Sequence, residues 1–376
     1  MLSRFRDFLT RHRRKFIVTG IVVGGTVFIF KYAQKKLIEM QEKQARDFLD
    51  KSRRMQHFES TERTCNQVIL GMGAELIQAI IHECSTDDLL QQLRENPANK
   101  LQLWEEMKIE SFTRLTTFIY ASSMLVVALR VQLNVLGGYL YHDTTNGNDA
   151  KANNSKYPRI NDDLKQQYLS LIRYFIQEGG LSELVRLVRS KVNVVMRQLP
   201  LTKKLSLADT EQLFWSLQMA INSDPSTDPC SKMCKYLLPS QLPDYASGGP
   251  LLQKMFSETL DLLESDDASS VCSNNICRGF SLAVDAIAEN YKDNLTPNNT
   301  SQPVSTSQKS DFANINSVQI PLARVIPIVS GLTSKGVDSN TRPQNLATSL
   351  LTFYVISEKS KVLGANVYET FSSVAA

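Results

Sequence analysis

The sequence predicts an all-α protein: one large elongated helical bundle behind an N-terminal transmembrane anchor helix. Three observations lead there. Apolar residues recur at steps of three and four along most of the chain. Clean alternation of apolar and polar residues is nearly absent, so strands are expected to be few. Phe16 to Phe30 (FIVTGIVVGGTVFIF) form an uncharged, mostly apolar run between two basic clusters.

That run is the expected anchor. Fifteen helical residues span roughly 22 Å, short of a hydrocarbon core of about 30 Å. Extension to Ala33, with Lys31 snorkelling toward headgroups, reaches roughly 27 Å. A cleaved signal peptide has the same basic start, but no A-x-A site follows the run. Lys31-Tyr32-Ala33-Gln34-Lys35-Lys36 leads instead straight into a charged helical pattern. Six Lys/Arg precede the anchor and five lie between Lys31 and Arg46, so charge counting gives no orientation. The chain thus divides into a short basic segment (1–15), an anchor (16–33) and a body (34–376).

In the body, Tyr32 to Phe58 lacks Pro and Gly and continues the helical pattern out of the anchor. Glu59 to Cys84 follows, with Val68, Ile69, Met72, Leu76, Ile77, Ile80 and Ile81 on one face. Ser85-Thr86-Asp87-Asp88 reads as an N-cap with acids in the first turn of a short helix, Asp87 to Arg94, ending before Asn96-Pro97. Asn99 to Tyr141 is the longest helical pattern. Its stretch Leu115 to Leu129 is apolar on all sides between Arg114 and Arg130, as the centre of a large bundle requires. Gly137-Gly138 marks a hinge or a close helix crossing.

Further helices are expected over 158–177, 181–199, 206–222, 251–263, 268–291, 345–357 and 360–373. The third of these opens on the cap Ser206-Leu207-Ala208-Asp209. Val318 to Leu332 is apolar and interrupted by Pro321 and Pro327. Mobile loops are expected near 143–157, 223–250 and 292–317.

Composition is that of a globular body: 42% hydrophobic, 21% charged and 8% aromatic residues. The formal charge of +4 is concentrated in the N-terminal segment, and the near-neutral body lacks the basic face of a nucleic-acid binder. Six cysteines do not make a disulfide scaffold. Cys230, Cys234, Cys272 and Cys277 have looser spacing than a zinc site prefers, and independent thiols in a reducing compartment account for them. Asn153, Asn294, Asn298 and Asn299 begin N-x-S/T triplets in Asn-rich loops.

No P-loop, G-x-G-x-x-G, G-x-S-x-G or H-E-x-x-H motif is present. The four histidines are scattered. Acidic pairs such as Glu105-Glu106 and Asp266-Asp267 are adjacent in sequence and diverge by about 100° on a helix. The chain is therefore expected to bind rather than catalyse, without cofactor or metal. Two other readings stay open: a membrane-anchored helical enzyme, and a luminal type II glycoprotein.

The expected binding surface lies in Leu89 to Met107. Leu89, Leu90 and Leu93 form a short apolar face, and the Pro97 turn leads into Lys100, Trp104 and Met107. Trp104 is one of two tryptophans and stands one turn into a new helix. It either caps the bundle core or floors a groove for a partner's amphipathic helix.

These residues carry a resemblance. The chain resembles the peroxin-3 family in KYAQKK (31–36), HFESTERTCN (57–66), NPANKLQLWEEMKIESFTR (96–114), MLVVALRVQLNVLGGYLY (124–141), QQYLSL (166–171), IPLARVIPIVSG (320–331) and ANVYETFSS (365–373). The similarity runs nearly end to end and is weakest over 223–317. It implies an all-helical cytosolic domain on the peroxisomal membrane, with the N-terminus inside the organelle, and leaves open a passage through the endoplasmic reticulum. The implied partner is peroxin-19, the soluble chaperone that carries newly made peroxisomal membrane proteins. Its N-terminal amphipathic helix would dock in an apolar groove matched here by Leu93, Lys100, Trp104, Pro321 and Arg324. Arg324 stands where a lysine also occurs. The basic residues beside the anchor would attract membrane lipid.

Overall fold

The structure is a computed structural model. It describes residues 2–95, 97–147, 160–242, 249–293, 317–333 and 346–373, with side chains outside 2–29, 145–147 and 293. The described residues are almost entirely helical, as expected. They fall into two compact units, Met1–Glu59 and Ser60–Ala376. The boundary lies inside the first helix, α1 (Leu2–Glu83), so residues 34–59 group with the N-terminal segment rather than with the body.

The helices expected on either side of Phe58 are one, because neither Pro nor Gly interrupts the chain there. The anchor backbone is helical; its side chains before Phe30 lie outside the described ones. Exposed pairs Lys35–Glu39, Glu42–Arg46 and Asp50–Arg53 at 3.6–4.0 Å each support the helix by only about 0.3–0.5 kcal/mol.

The second unit is built around α3 (Lys100–Gly147), which at 48 residues is about 72 Å long. Every residue from Ser111 to Gly138 is buried. A helix apolar on all faces needs cover on all faces. Here α2 (Asp87–Arg94), α6 (Gly180–Met196), α9 (Gly249–Leu263), α10 (Asp266–Asp293), α11 (Leu322–Leu332), α12 (Leu346–Ile356) and α13 (Glu358–Ser373) all pack on it. The apolar run Leu115–Leu129 is thus the bundle's axis; the helix that carries it is long and apolar enough to cross a membrane, yet its apolar stretch is fully buried in protein. The glycine pair is a close crossing. A Cβ on Gly138 would stand 2.4 Å from Phe371 Cβ of α13, and one on Gly137 would meet Thr61 Cγ2 at 2.7 Å.

Several segments differ from expectation. Residues 143–147 are helical, while 148–157 lie outside the described residues. The pattern over 158–177 breaks into α4 (Asp162–Ser170) and α5 (Arg173–Gln177). At the break buried Gln132 of α3 donates to the Tyr168 carbonyl, which also accepts from the Leu171 amide. The described part of the 223–250 connection, residues 223–242, is packed rather than loose. It holds α8 (Met233–Leu237), buries Cys230, Tyr236 and Leu238, and ties the Tyr236 hydroxyl to the Thr227 carbonyl at 2.8 Å. Residues 243–248 and 294–316 lie outside the described residues, as do the four N-x-S/T asparagines. Among the described residues the sheet content is one antiparallel pair, β1 (Lys204–Leu205) against β2 (Ile320–Pro321). Between β1 and α10, α7 (Leu207–Ile221) opens on a capping box in which Ser206 and Asp209 bond each other's amides at 2.9 and 3.1 Å.

Arg114 and Arg130, which bracket the apolar run, are both buried. Arg130 pairs with Glu62 of α1 and donates to Asn66 Oδ1 at 2.7 Å and the Val355 carbonyl of α12 at 2.8 Å. One guanidinium thus joins α1, α3 and α12. Removing one member of such a pair leaves an uncompensated charge inside. Glu62→Ala is expected to cost about 3 kcal/mol in urea unfolding of the full chain, and Glu62→Leu with Arg130→Met to recover most of that loss. A single variant as stable as the wild type would remove the pair from the list of structural determinants.

Candidate partner-binding site

Helix α2 and the first turns of α3 form the predicted surface. The expected cap at Ser85-Thr86 is replaced by tertiary bonding. Thr86 makes no side-chain cap; its hydroxyl is buried and accepts from Ser330 of α11 at 3.5 Å, while Ser85 donates to Asp88 at 2.7 Å. Arg114 completes this corner, donating to Thr333 Oγ1 at 2.9 Å and to the Ser330 carbonyl at 2.7 Å. Burial presses against its charge and nearby Asp87 works the other way. Its oxygen partners at the C-terminal end of α11 suit a cation there.

The predicted residues divide by exposure. Leu89, Leu90 and Trp104 are half-buried and packed on the core. Leu93 and Pro321 are half-buried; Lys100 and Arg324 are exposed. Met107 is fully buried, so it belongs to the core beneath this surface and presents nothing to a partner. Trp104 and Met107 are three residues apart on one face, and the tilt of α3 into the core separates their fates. Leu101, beside Lys100, is 72% exposed. Pro321 lies in β2 and is the N-terminal flank of α11; Arg324 stands on the first turn of that helix, which packs on α3.

A cavity of about 670 Å³ opens between α2, α3 and α6, and charged side chains contribute to its lining. Asp88, Glu105, Glu106 and Glu110 face Arg189 and Arg197, and only Leu89 belongs to the predicted set. Arg189 grips Glu110 through two nitrogens at 2.7 and 3.1 Å and donates to the Glu83 carbonyl at 3.0 Å. Of those carboxylates Glu110 is the one that holds α6 to α3, while Glu106 accepts from Gln102 and Glu105 pairs with Lys108 on their own helix.

Sequence reasoning missed Lys108. Its ammonium is buried, donates to the Leu199 carbonyl at 2.8 Å and meets Glu105 at 2.5 Å. It fixes the turn after α6, whose Leu201 and Lys203 carbonyls accept from the Ala323 and Leu322 amides at 3.0 and 2.8 Å. A lysine one position past a buried methionine is the only signal the sequence carried.

Thiol chemistry is quiet. Burial pushes the Cys65, Cys84 and Cys234 thiols up to about 12, which leaves them unreactive. Cys230 and Cys272 are free thiols joined by a hydrogen bond, Cys234 donates to the Leu260 carbonyl, and Cys277 accepts from Gln218. The four do not converge, and among the described residues no group of three or more His, Cys, Asp or Glu is placed to hold a metal.

Lys108→Met is expected to lower stability by about 1.5–3 kcal/mol, the worth of a charged hydrogen bond. It should also speed hydrogen exchange at the Leu322 and Ala323 amides. Unchanged exchange there would show that the turn holds its place without Lys108.

Comparison with known proteins bears on what this surface serves. The family model described as Peroxin-3 matches residues 7–101 and 94–352. Peroxisomal biogenesis factor 3 of Homo sapiens is 37% identical over 386 residues, covering 99% of this chain and 98% of its own. The Mus musculus protein of that name is 36% identical over 385 residues, at 99% and 98% coverage. Peroxisome biogenesis protein 3-1 of Arabidopsis thaliana is 26% identical over 284 residues, covering 71% and 78%. With an anchor-like N-terminal helix, an all-helical body and matches along nearly its whole length, the chain belongs to the peroxin-3 family.

Proposed function

We propose that the protein is a membrane-anchored docking receptor for the cargo-carrying chaperone peroxin-19, acting in peroxisome assembly and the insertion of peroxisomal membrane proteins. The observation that carries this reading is Trp104: a large aromatic left half-exposed, one turn into α3, between exposed Lys100 and Leu101 and the half-buried leucines of α2. Membership in a family whose relatives bear the name peroxisomal biogenesis factor supports the cellular setting.

In this reading an amphipathic helix of the chaperone lies across α2 and the start of α3. Leu93 and Trp104 bury its apolar face, and Lys100 and Arg324 orient it by charge. Leu89, Leu90 and Pro321 complete the floor. The helix would meet a preformed surface, since the core beneath it is fully packed, so little binding energy is lost to ordering the receptor. Docking brings cargo to the bilayer that holds the anchor. Residues 31–54 carry more bases than acids and would add attraction to anionic lipid. The N-terminus lies inside the organelle and the body in the cytosol. No step calls for a cofactor, a nucleotide or a catalytic group.

The test is a titration of the full chain, in detergent, against a labelled peptide from the N-terminal helix of peroxin-19. Saturable binding is expected, and Trp104→Ala should weaken it by more than about 2 kcal/mol, or roughly thirty-fold. Wild-type affinity in a folded Trp104→Ala variant would sink the assignment of the site.

A further inference from the structure

Two lysines on the turn between α6 and α7 serve neither the core nor the predicted groove. Lys203 and Lys204 are fixed by backbone bonds to the start of α11. The Leu322 amide donates to the Lys203 carbonyl at 2.8 Å, and Lys204 stands opposite Pro321 in the strand pair. Buried Lys108 holds the same turn through the Leu199 carbonyl. The backbone beneath these lysines is thus anchored at both ends to α3 and α11.

Arg324 lies three residues beyond Pro321 on the same helix start. The side chains of Lys203, Lys204 and Arg324 are all exposed, and among the described residues none of them forms a salt bridge. Asp209 is the acid on this turn that feels Lys203. Its carboxyl is held below the usual range first by the Ser206 backbone and hydroxyl, which bond it at 2.9 and 2.7 Å, and Lys203 adds a smaller effect. Three cations therefore share one short, fixed stretch of surface whose acid is already engaged.

We propose that Lys203 and Lys204 extend the docking surface as a basic rim that receives acidic side chains flanking the partner's amphipathic helix. The inference rests on the docking reading above. Continuity with Pro321 and Arg324 selects this occupant: a helix bound there has its next residues over the strand pair. Three cations on a near-neutral body fit a few carboxylates rather than a nucleic-acid backbone. Exposed charges of this kind act mainly on the rate of encounter and on orientation.

The experiment compares the full chain with a Lys203→Glu, Lys204→Glu double variant, using the peroxin-19 peptide and the same peptide with its Asp and Glu replaced by Asn and Gln. At low salt the double variant should bind the native peptide with an association rate about ten-fold lower and a dissociation rate changed by less than about two-fold. The difference should fade as salt shortens the reach of charge below about 10 Å. Lys203→Arg with Lys204→Arg should restore the wild-type rate, and the neutralised peptide should be indifferent to all variants. A purely structural role would raise the dissociation rate at every salt concentration and would overturn the proposal. Wild-type kinetics in the double variant, with Trp104→Ala still weakening binding, would overturn the rim and leave the docking site intact. Absence of binding by the wild-type chain would overturn both. Loss of binding to anionic phosphatidylserine vesicles, with peptide kinetics unchanged, would reassign the rim to lipid.

Discussion

A helix with apolar side chains on every face has no stable place in water, and the second unit is arranged around that constraint. Between Ser111 and Gly138 α3 exposes nothing. Among the described residues nine other helices pack against it, and α1 adds Cys65, Ile69, Leu76 and Ile80 to the same core. The closest approach is made possible by the absence of side chains at Gly137 and Gly138, which lets α13 and α1 reach the backbone of α3. Burial of this kind is non-directional and alone would not fix the order of the covering helices.

Direction comes from three cations placed along α3. Lys108 holds the turn after α6, Arg114 holds the end of α11, and Arg130 holds α1 and α12. Each reaches a carbonyl oxygen on a segment far away in sequence. A buried charge without its partner costs several kcal/mol, so each site strongly disfavours a slipped packing arrangement. We regard these cations as setting the register of the bundle more than adding to its stability.

The same cations position the candidate docking surface. Arg114 and Thr86 clamp α2 and α11 at one corner; Lys108 fixes the turn that pairs with β2. Leu93, Trp104, Pro321 and Arg324 come from segments more than two hundred residues apart, yet α2 and α11 both pack on α3. A surface already in place spares ordering entropy on docking. On the α6 side the Arg189–Glu110 pair ties α6 to α3 beside that surface.

The sequence by itself determined the elements whose signals are local. Helix α2 has the bounds read from its acids, leucines and the following Asn-Pro; the Ser206–Asp209 capping box is present as written; and the apolar run of α3 is buried as an all-round hydrophobic helix must be. Leu89, Leu90 and Leu93 were legible as a short apolar face, followed by the Pro97 turn into Lys100 and Trp104. Tertiary structure decided the rest. Residues 204–205 and 320–321 are too short to show a period, and they pair only because Lys108 and α11 bring them together. The helical pattern over 158–177 breaks where Gln132 claims the Tyr168 carbonyl, and Thr86 gives up its cap to Ser330. Met107 and Trp104 share a face, so no periodicity could tell the buried one from the half-exposed one. Local preferences amount to tenths of a kcal/mol per residue, whereas a satisfied buried charge or a filled crossing decides several at once.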